Sequence, residues 1–227
     1  MKSSICTYIR VNKINFMFYL LGFIILGLAV NLLKASGLGT GAWDTVTINW
    51  RDYLSIKFGN SWVTIGMLSF LVSFILMIIV ISYRKKLRYL LMLIPIFLVA
   101  VSIDFWNLIV FKDWQASEMF VKVILFIVGA ISLPLGLTLV VKSTFPAFVF
   151  DELMLMFVDI FHAKKITYVR LGIEFTGIFI GAIFGYVTFY HLDGSLGAVN
   201  IGSFLLAFTL APIMTIYFKI FRVYKSE

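Results

Sequence analysis

Six stretches of the chain, at 14–33, 61–82, 89–111, 123–141, 166–190 and 198–218, run almost without charge. The first holds Asn15 and Asn31 as its strongly polar members, the third holds one charge, Asp104, and the fifth contains Arg170 and Glu174. A helix needs about 20 apolar residues to cross a hydrocarbon core of about 30 Å, and each stretch is near that length. Apolar and polar residues do not alternate within them, which excludes barrel strands. In lipid the backbone must satisfy its own N–H and C=O groups, so helices are expected. The predicted fold class is an all-α membrane protein with six transmembrane helices. Two further segments, 44–58 and 151–162, follow the first and fourth spans. Each is expected to form a short helix, either interfacial or re-entrant.

The pattern recurs once. Leu26-Gly27-Leu28, Lys34 and a loop ending Trp43-Asp44 are echoed by Leu135-Gly136-Leu137, Lys142 and a loop ending Phe150-Asp151. A second aspartate follows each of these by eight residues, at Asp52 and Asp159. The next spans open with Trp62-Val63-Thr64-Ile65-Gly66 and Tyr168-Val169-Arg170-Leu171-Gly172. Residues 1–112 and 113–227 thus read as two transmembrane repeats of three spans, each with a short connecting or re-entrant helix after its first span. An odd number of crossings makes the second unit enter from the opposite side, giving an inverted repeat. Many secondary transporters are built so, with binding sites where the repeats meet. Duplication kept for packing alone is the other reading.

Composition supports the membrane assignment. With 62% hydrophobic and 13% charged residues, and a mean hydropathy of +1.04, the chain cannot cover a water-soluble domain. The net charge of +8 does not point to nucleic acid, because the basic residues cluster between spans. With a cytoplasmic N-terminus the inside segments hold Lys2, Arg10 and Lys13, then Arg84, Lys85, Lys86 and Arg88, then Lys142, Lys164 and Lys165, then Lys219, Arg222 and Lys225. The outside segments hold Lys34, Arg51, Lys57, Lys112 and Lys122. This asymmetry predicts both termini on the cytoplasmic side of a bacterial plasma membrane. The first stretch is too long for a signal-peptide core and lacks a small-x-small cleavage site, so it is expected to be retained. Cys6 stands alone and His162 and His191 are far apart, so no disulfide, metal site or cofactor is expected.

Five charged residues are candidates to line a substrate pathway: Asp44, Asp104, Asp151, Arg170 and Glu174. A charge near the bilayer centre costs about 3 kcal/mol, and such residues usually face the bundle interior. Asp104 lies about 10 Å from the end of its span at 1.5 Å per residue. Arg170 and Glu174 are one turn apart and suit an i,i+4 pair, structural or gating. The glycine-rich loop, with Gly37, Gly39, Gly41 and Trp43, has two readings. Either it lines a cavity with Asp44 and Asp151, or the aspartates are N-caps worth about 1 kcal/mol each and the glycines make a turn. Free N–H groups at a helix start favour an anion and aspartates favour a cation, so the substrate's charge stays open.

After Asp44, a stripe of Val46, Trp50, Tyr53 and Leu54 opposes Thr45, Asn49 and Asp52, as in a helix lying at the interface or half-buried against the bundle. Gly177, Gly181 and Gly185 share one helical face and let a neighbouring helix approach closely, within the chain or in a homodimer. Pro95, Pro134 and Pro212 fall inside spans and are expected to kink or open them.

The loop ending Trp43-Asp44, the late Asp104, the run Val169-Arg170-Leu171-Gly172-Ile173-Glu174 and Pro212 together resemble the YczE/YyaS/YitT family of bacterial membrane proteins, nearest its YczE-like branch. The resemblance extends from about Phe16 to Phe218. The family's Val-Arg-x-x-Ile-Glu motif is matched in full. Three departures stand out. No proline precedes Trp43, the second loop reads Phe148-Val149-Phe150-Asp151 without the family's glycines and basic residue, and Lys86-Leu87-Arg88-Tyr89 replaces a glycine-rich start of the third span. The resemblance implies a topology and no particular activity.

Two functions remain in view. One is a transporter or permease for a small molecule or ion, working by alternating access between inverted repeats. The other is a non-transporting accessory protein that binds a partner membrane protein. No Gly-x-Gly-Asp, His-Glu-x-x-His or Gly-x-Ser-x-Gly pattern is present, so no enzyme is expected. The expected partners are the lipid bilayer, a small-molecule or ion substrate and a second copy of the chain, with no nucleic acid.

Overall fold

The computed structural model describes residues 13–223 apart from 60, 61, 144, 147 and 164. Lys2, Cys6, Arg10, Lys164 and Lys225 lie outside the described residues. Among those described, regular structure is helical throughout: α1 (Lys13–Ser36), α2 (Ala42–Phe58), α3 (Ile65–Arg84), α4 (Leu93–Asp104), α5 (Met119–Lys142), α6 (Val149–Phe161), α7 (Ile166–Asp193) and α8 (Ile201–Ile220). A 3₁₀ turn, Leu87–Met92, leads into α4, and a π-helical segment, Phe105–Phe111, continues it. Pro95 is the third residue of α4, where a missing N–H costs no intrahelical bond. It therefore sits at the opening of the helix, whereas Pro134 and Pro212 lie inside α5 and α8.

Six helices are long and apolar enough to cross a membrane: α1, α3, the span Leu87–Phe111, α5, α7 and α8. Their surfaces invert the pattern of a water-soluble protein. Ile14, Phe97, Phe179 and Ile201 are between 57% and 75% exposed, while Asn31, Thr45, Asn49, Ser73 and Ser203 are buried. This is a multi-pass membrane protein whose outer face meets lipid.

α1 runs through the centre and packs along α5 and α4. Tyr19, Phe23, Leu26 and Val30 of α1 join Ile103, Leu133, Val140, Leu206 and Leu210 in one core. At the α1–α5 crossing a Cβ on Gly22 would lie 3.0 Å from the Gly136 carbonyl oxygen, and one on Gly136 would lie 2.9 Å from that of Gly22. A second core joins Met77 and Val80 of α3, Met92, Ile96, and Val149, Leu153 and Met156 of α6.

The short helices are placed crosswise. α2 packs on α7, and α6 packs on α3. Each is buried at its N-terminal half and emerges at its C-terminal end, where Phe58 and Phe161 are exposed. The sequence pattern of α2 is corrected here: its polar residues Thr45 and Asn49 are fully buried, and its tail, not its apolar stripe, reaches the surface. The reason lies in α7. A Cβ at Gly181 would sit 2.1 Å from Thr45 Oγ1, so the helices touch backbone to side chain. Asn49 Nδ2 donates to the carbonyls of Gly181 (2.9 Å) and Leu196 (3.0 Å), and its Oδ1 accepts from the Ala198 amide (2.8 Å). The stripe of Gly177, Gly181 and Gly185 is thus occupied by α2 and the segment after α7, the within-chain use of the two that the sequence leaves open.

Candidate functional site

The two aspartates that end the repeated loops occupy equivalent helical positions. The N-cap of α2 is Gly41 and that of α6 is Phe148, so Asp44 and Asp151 are each the third residue of their helix. Neither start carries a side-chain cap hydrogen bond. The expectation that Asp44 and Asp151 are N-caps is therefore corrected. Two apolar residues precede each aspartate and already have helical geometry, so the carboxylate lies beside the first turn and close to its dipole without being tied to an amide.

The two helix starts meet. Trp43 and Phe150, each one residue before its aspartate, have ring centroids 5.1 Å apart. Beside them is a cavity of about 120 Å³ between the long helices, bounded by the middles of α1, α4, α5 and α8 and the N-terminal parts of α3 and α7. Asp44, Asp151, Arg170 and Glu174 all line it, with Thr47, Ser69 and Ser73 as further polar groups and Leu26, Val30, Val99, Ile103, Leu133 and Leu210 as apolar walls. Protein encloses Asp44 and Asp151, yet each keeps some accessible area because it faces this space. Burial pushes the Asp44 carboxyl up to about 7, with the charge of Glu174 adding to the effect. Burial likewise raises Asp151, against the lowering influence of Arg170.

Arg170 and Glu174 share the cavity but do not close the expected i,i+4 ion pair among the described residues. Arg170 Nη2 instead approaches Met214 Sδ at 3.4 Å. Asp104 lies elsewhere. Its carboxylate accepts from Thr64 Oγ1 (2.6 Å) and from the Gly66 amide (2.7 Å), satisfying the first turn of α3. The glycine loop docks on the start of α8: the Gly202 amide donates to the Leu38 carbonyl (2.9 Å) and the Thr40 amide donates to Ser203 Oγ (3.1 Å). Gly39, at φ +124, has no room for a Cβ, which would meet the Ser203 amide nitrogen at 2.5 Å. Of the loop, Gly41 and Trp43 reach the cavity.

Two ionic clusters hold the far ends of the short helices. Lys34, buried at the end of α1, donates to Asn107 Oδ1 (2.8 Å) and pairs with Asp113, which also takes Arg51 of α2 at 3.1 Å. Burial alone would raise the Asp113 carboxyl, but the Lys34 ammonium and Arg51 reverse this and hold it below its ordinary value. At the opposite end of the Leu87–Phe111 span, Arg84 pairs with Asp159 of α6 at 2.5 Å. Sequence reasoning missed Ser69 and Ser73, although two serines one turn apart in a charge-free span are a readable signal. It also missed the Lys34–Asp113–Arg51 cluster, whose members come from three separate segments.

The comparisons with known proteins agree with the sequence pattern. DUF6198, described as a family of unknown function, matches residues 13–219. The chain belongs to this family. It is also 31% identical over 146 residues to the uncharacterized protein YyaS of Bacillus subtilis (strain 168), covering 64% of this chain and 69% of that protein. The resemblance to the YczE/YyaS type is thereby shown. No solved structure matches. The matched DUF6198 region contains every residue that lines the cavity.

Proposed function

We propose that the protein is a small-solute transporter or permease of the bacterial plasma membrane, with both termini cytoplasmic, working by alternating access between two inverted three-span units. The observation that carries this reading is the convergence of two equivalent half-buried helices, each with an aspartate at its third position, on one largely apolar cavity that holds three carboxylates and a guanidinium. Inverted repeats place their sites in this way, at mid-membrane between broken or short helices.

The packing supports the repeat. α2 on α7 corresponds to α6 on α3, α1 on α4 corresponds to α5 on α8, and the Gly22–Gly136 crossing is reciprocal. The short helices act as re-entrant elements entering from opposite faces, one anchored at Asp113 and the other at Arg84. Three carboxylates face one guanidinium. Each helix N-terminus adds roughly half a positive charge, which leaves the ionised cavity negative. With all three carboxylates ionised, the substrate this cavity suits best is a cation.

The test is uptake of labelled tetramethylammonium into proteoliposomes. Wild-type protein should accumulate it and Asp44→Asn should not, whereas Asp104→Asn, outside the cavity, should retain uptake. Absence of protein-dependent uptake of this and other small cations would overturn the reading. A stoichiometric partner recovered with such an inactive protein would establish the accessory role instead.

A further inference from the structure

Trp43 belongs to two spaces at once. One of its sides bounds the acidic cavity. The other bounds a second space of about 590 Å³ between α3, α6 and α7, lined by Leu76, Ile79, Leu153, Phe157 and Gly172 among others. That second space is a groove in the lipid-facing surface, and it contains no charged side chain. At its rim Phe161 and Tyr168 are each 69% exposed. The Trp43 indole N–H is buried and has no hydrogen-bond partner among the described residues. Among the described residues Trp43, whose ring meets Phe150 at an angle of 39°, is the one that lines both spaces.

We infer that the substrate is an amphiphilic monovalent cation, an alkylammonium whose charged head sits in the cavity and whose apolar tail lies in the groove beyond Trp43. This deepens the transport reading and rests on it. The head fits by charge and by surroundings. Asp44, Asp151 and Glu174 supply negative charge, and Trp43, Phe148 and Phe150 supply aromatic faces, which attract alkylated ammonium groups strongly when water is excluded. At about 120 Å³ the cavity is small beside the groove of about 590 Å³, so it suits the compact head and the groove suits the tail. Anything longer must extend past Trp43. The polar groups along the groove are few: the Trp43 indole N–H, the Tyr168 phenol at the exposed rim, and the Thr176 hydroxyl, which already donates to the Gly172 carbonyl at 2.8 Å. An anionic amphiphile is disfavoured by the same three carboxylates.

Gly172 gives a clean test. It lines the groove, and a Cβ built on it meets nothing within 4 Å, so a larger side chain fills the groove without disturbing packing. Binding of tetramethylammonium and of octyltrimethylammonium is measured by calorimetry on protein in lipid nanodiscs, with empty nanodiscs subtracted. The octyl compound should bind at least about tenfold more tightly, since each buried methylene contributes several-fold. Gly172→Leu should erase that gain and leave tetramethylammonium binding unchanged. Thr176→Leu, at a second groove position, should reduce the gain in the same way. Asp44→Asn should weaken both ligands. If chain length makes no difference, or if the gain survives both groove variants, the tail site is wrong while the small-cation reading stands. If neither ligand binds, both fall together.

Discussion

The contact between α2 and α7 fixes where Asp44 stands, and its strength can be isolated by two substitutions on one helix. Gly172→Ala and Gly181→Ala both exchange glycine for alanine inside α7, and each gains about 1 kcal/mol of helix propensity. At Gly172 the new Cβ meets open space. At Gly181 it would lie 2.1 Å from Thr45 Oγ1 and 2.8 Å from Thr45 Cβ, with the Thr45 carbonyl carbon at 3.1 Å. Thr45 is fully buried and its hydroxyl donates to the Ala42 carbonyl at 2.6 Å, so it cannot swing aside. Overpacking of this kind costs about 1–3 kcal/mol. The propensity gain is common to both variants, so their difference reports the packing term alone: about 1–3 kcal/mol, or roughly a 5-fold to 150-fold change in the unfolding equilibrium. The assay is reversible unfolding in mixed micelles followed by far-ultraviolet circular dichroism. Gly177→Ala, whose Cβ meets Ala42 at 3.1 Å, should fall between the two. If Gly181→Ala proves as stable as Gly172→Ala, then α2 does not sit against that face, and the cavity as described does not exist.

Three further outcomes are expected. Asp113→Asn weakens the counter-charge for buried Lys34 and should cost about 1–3 kcal/mol in the same assay, with Lys34→Gln restoring part of the loss in the double variant. Asp104→Asn trades a charged acceptor of two hydrogen bonds for an amide that can accept one of them; it should cost about 1–2 kcal/mol and leave cation affinity unchanged, as separate melting and binding measurements would show. Cation binding should strengthen as pH rises through about 7, because the Asp44 carboxyl is neutral below that value and charged above it. Glu174, Asp151 and Arg170 face the same space, so Asp44→Asn should flatten that part of a calorimetric pH profile without abolishing every pH effect.

Much of this architecture is legible in the sequence because lipid imposes strict rules on it. A span must be about 20 apolar residues long, and the six long helices coincide with the six charge-poor stretches to within a few residues at most ends. The repeated aspartates were visible because their spacing is preserved in both halves. Their exact role was not visible. Helix starts are decided by where the chain leaves a turn, and Ala42-Trp43 and Val149-Phe150 carry no cap signal of their own. The burial of Thr45 and Asn49 was hidden for another reason. Amphipathic reasoning assumes that polar faces seek water, but the glycines of α7 expose backbone close enough for Asn49 to bond a buried carbonyl. Asp104 looked free because Thr64 and Gly66, its partners, are some forty residues away in sequence and reach it only once α3 and the Leu87–Phe111 span pair.

The third-residue position of Asp44 and Asp151 bears on function more than the residue type does. An aspartate one turn earlier, at the N-cap, would spend its oxygens on backbone amides and contribute about 1 kcal/mol to the helix. At the third position it gains the dipole, about 0.3–1 kcal/mol and up to about 2 where partly buried, and keeps its oxygens free. That gain is smaller than the several kcal/mol needed to hold an ion out of water. The single charge of Arg170 offsets part of the deficit for Asp151 and Glu174, but three carboxylates face the cavity and no ion pair closes on any of them among the described residues. An enclosed group in that condition takes up either a proton or a cation. A fold that needed the aspartates only to start two helices would have moved each of them back by three residues, where the same carboxylates would stabilise it without leaving an unbalanced charge at the centre of the bundle.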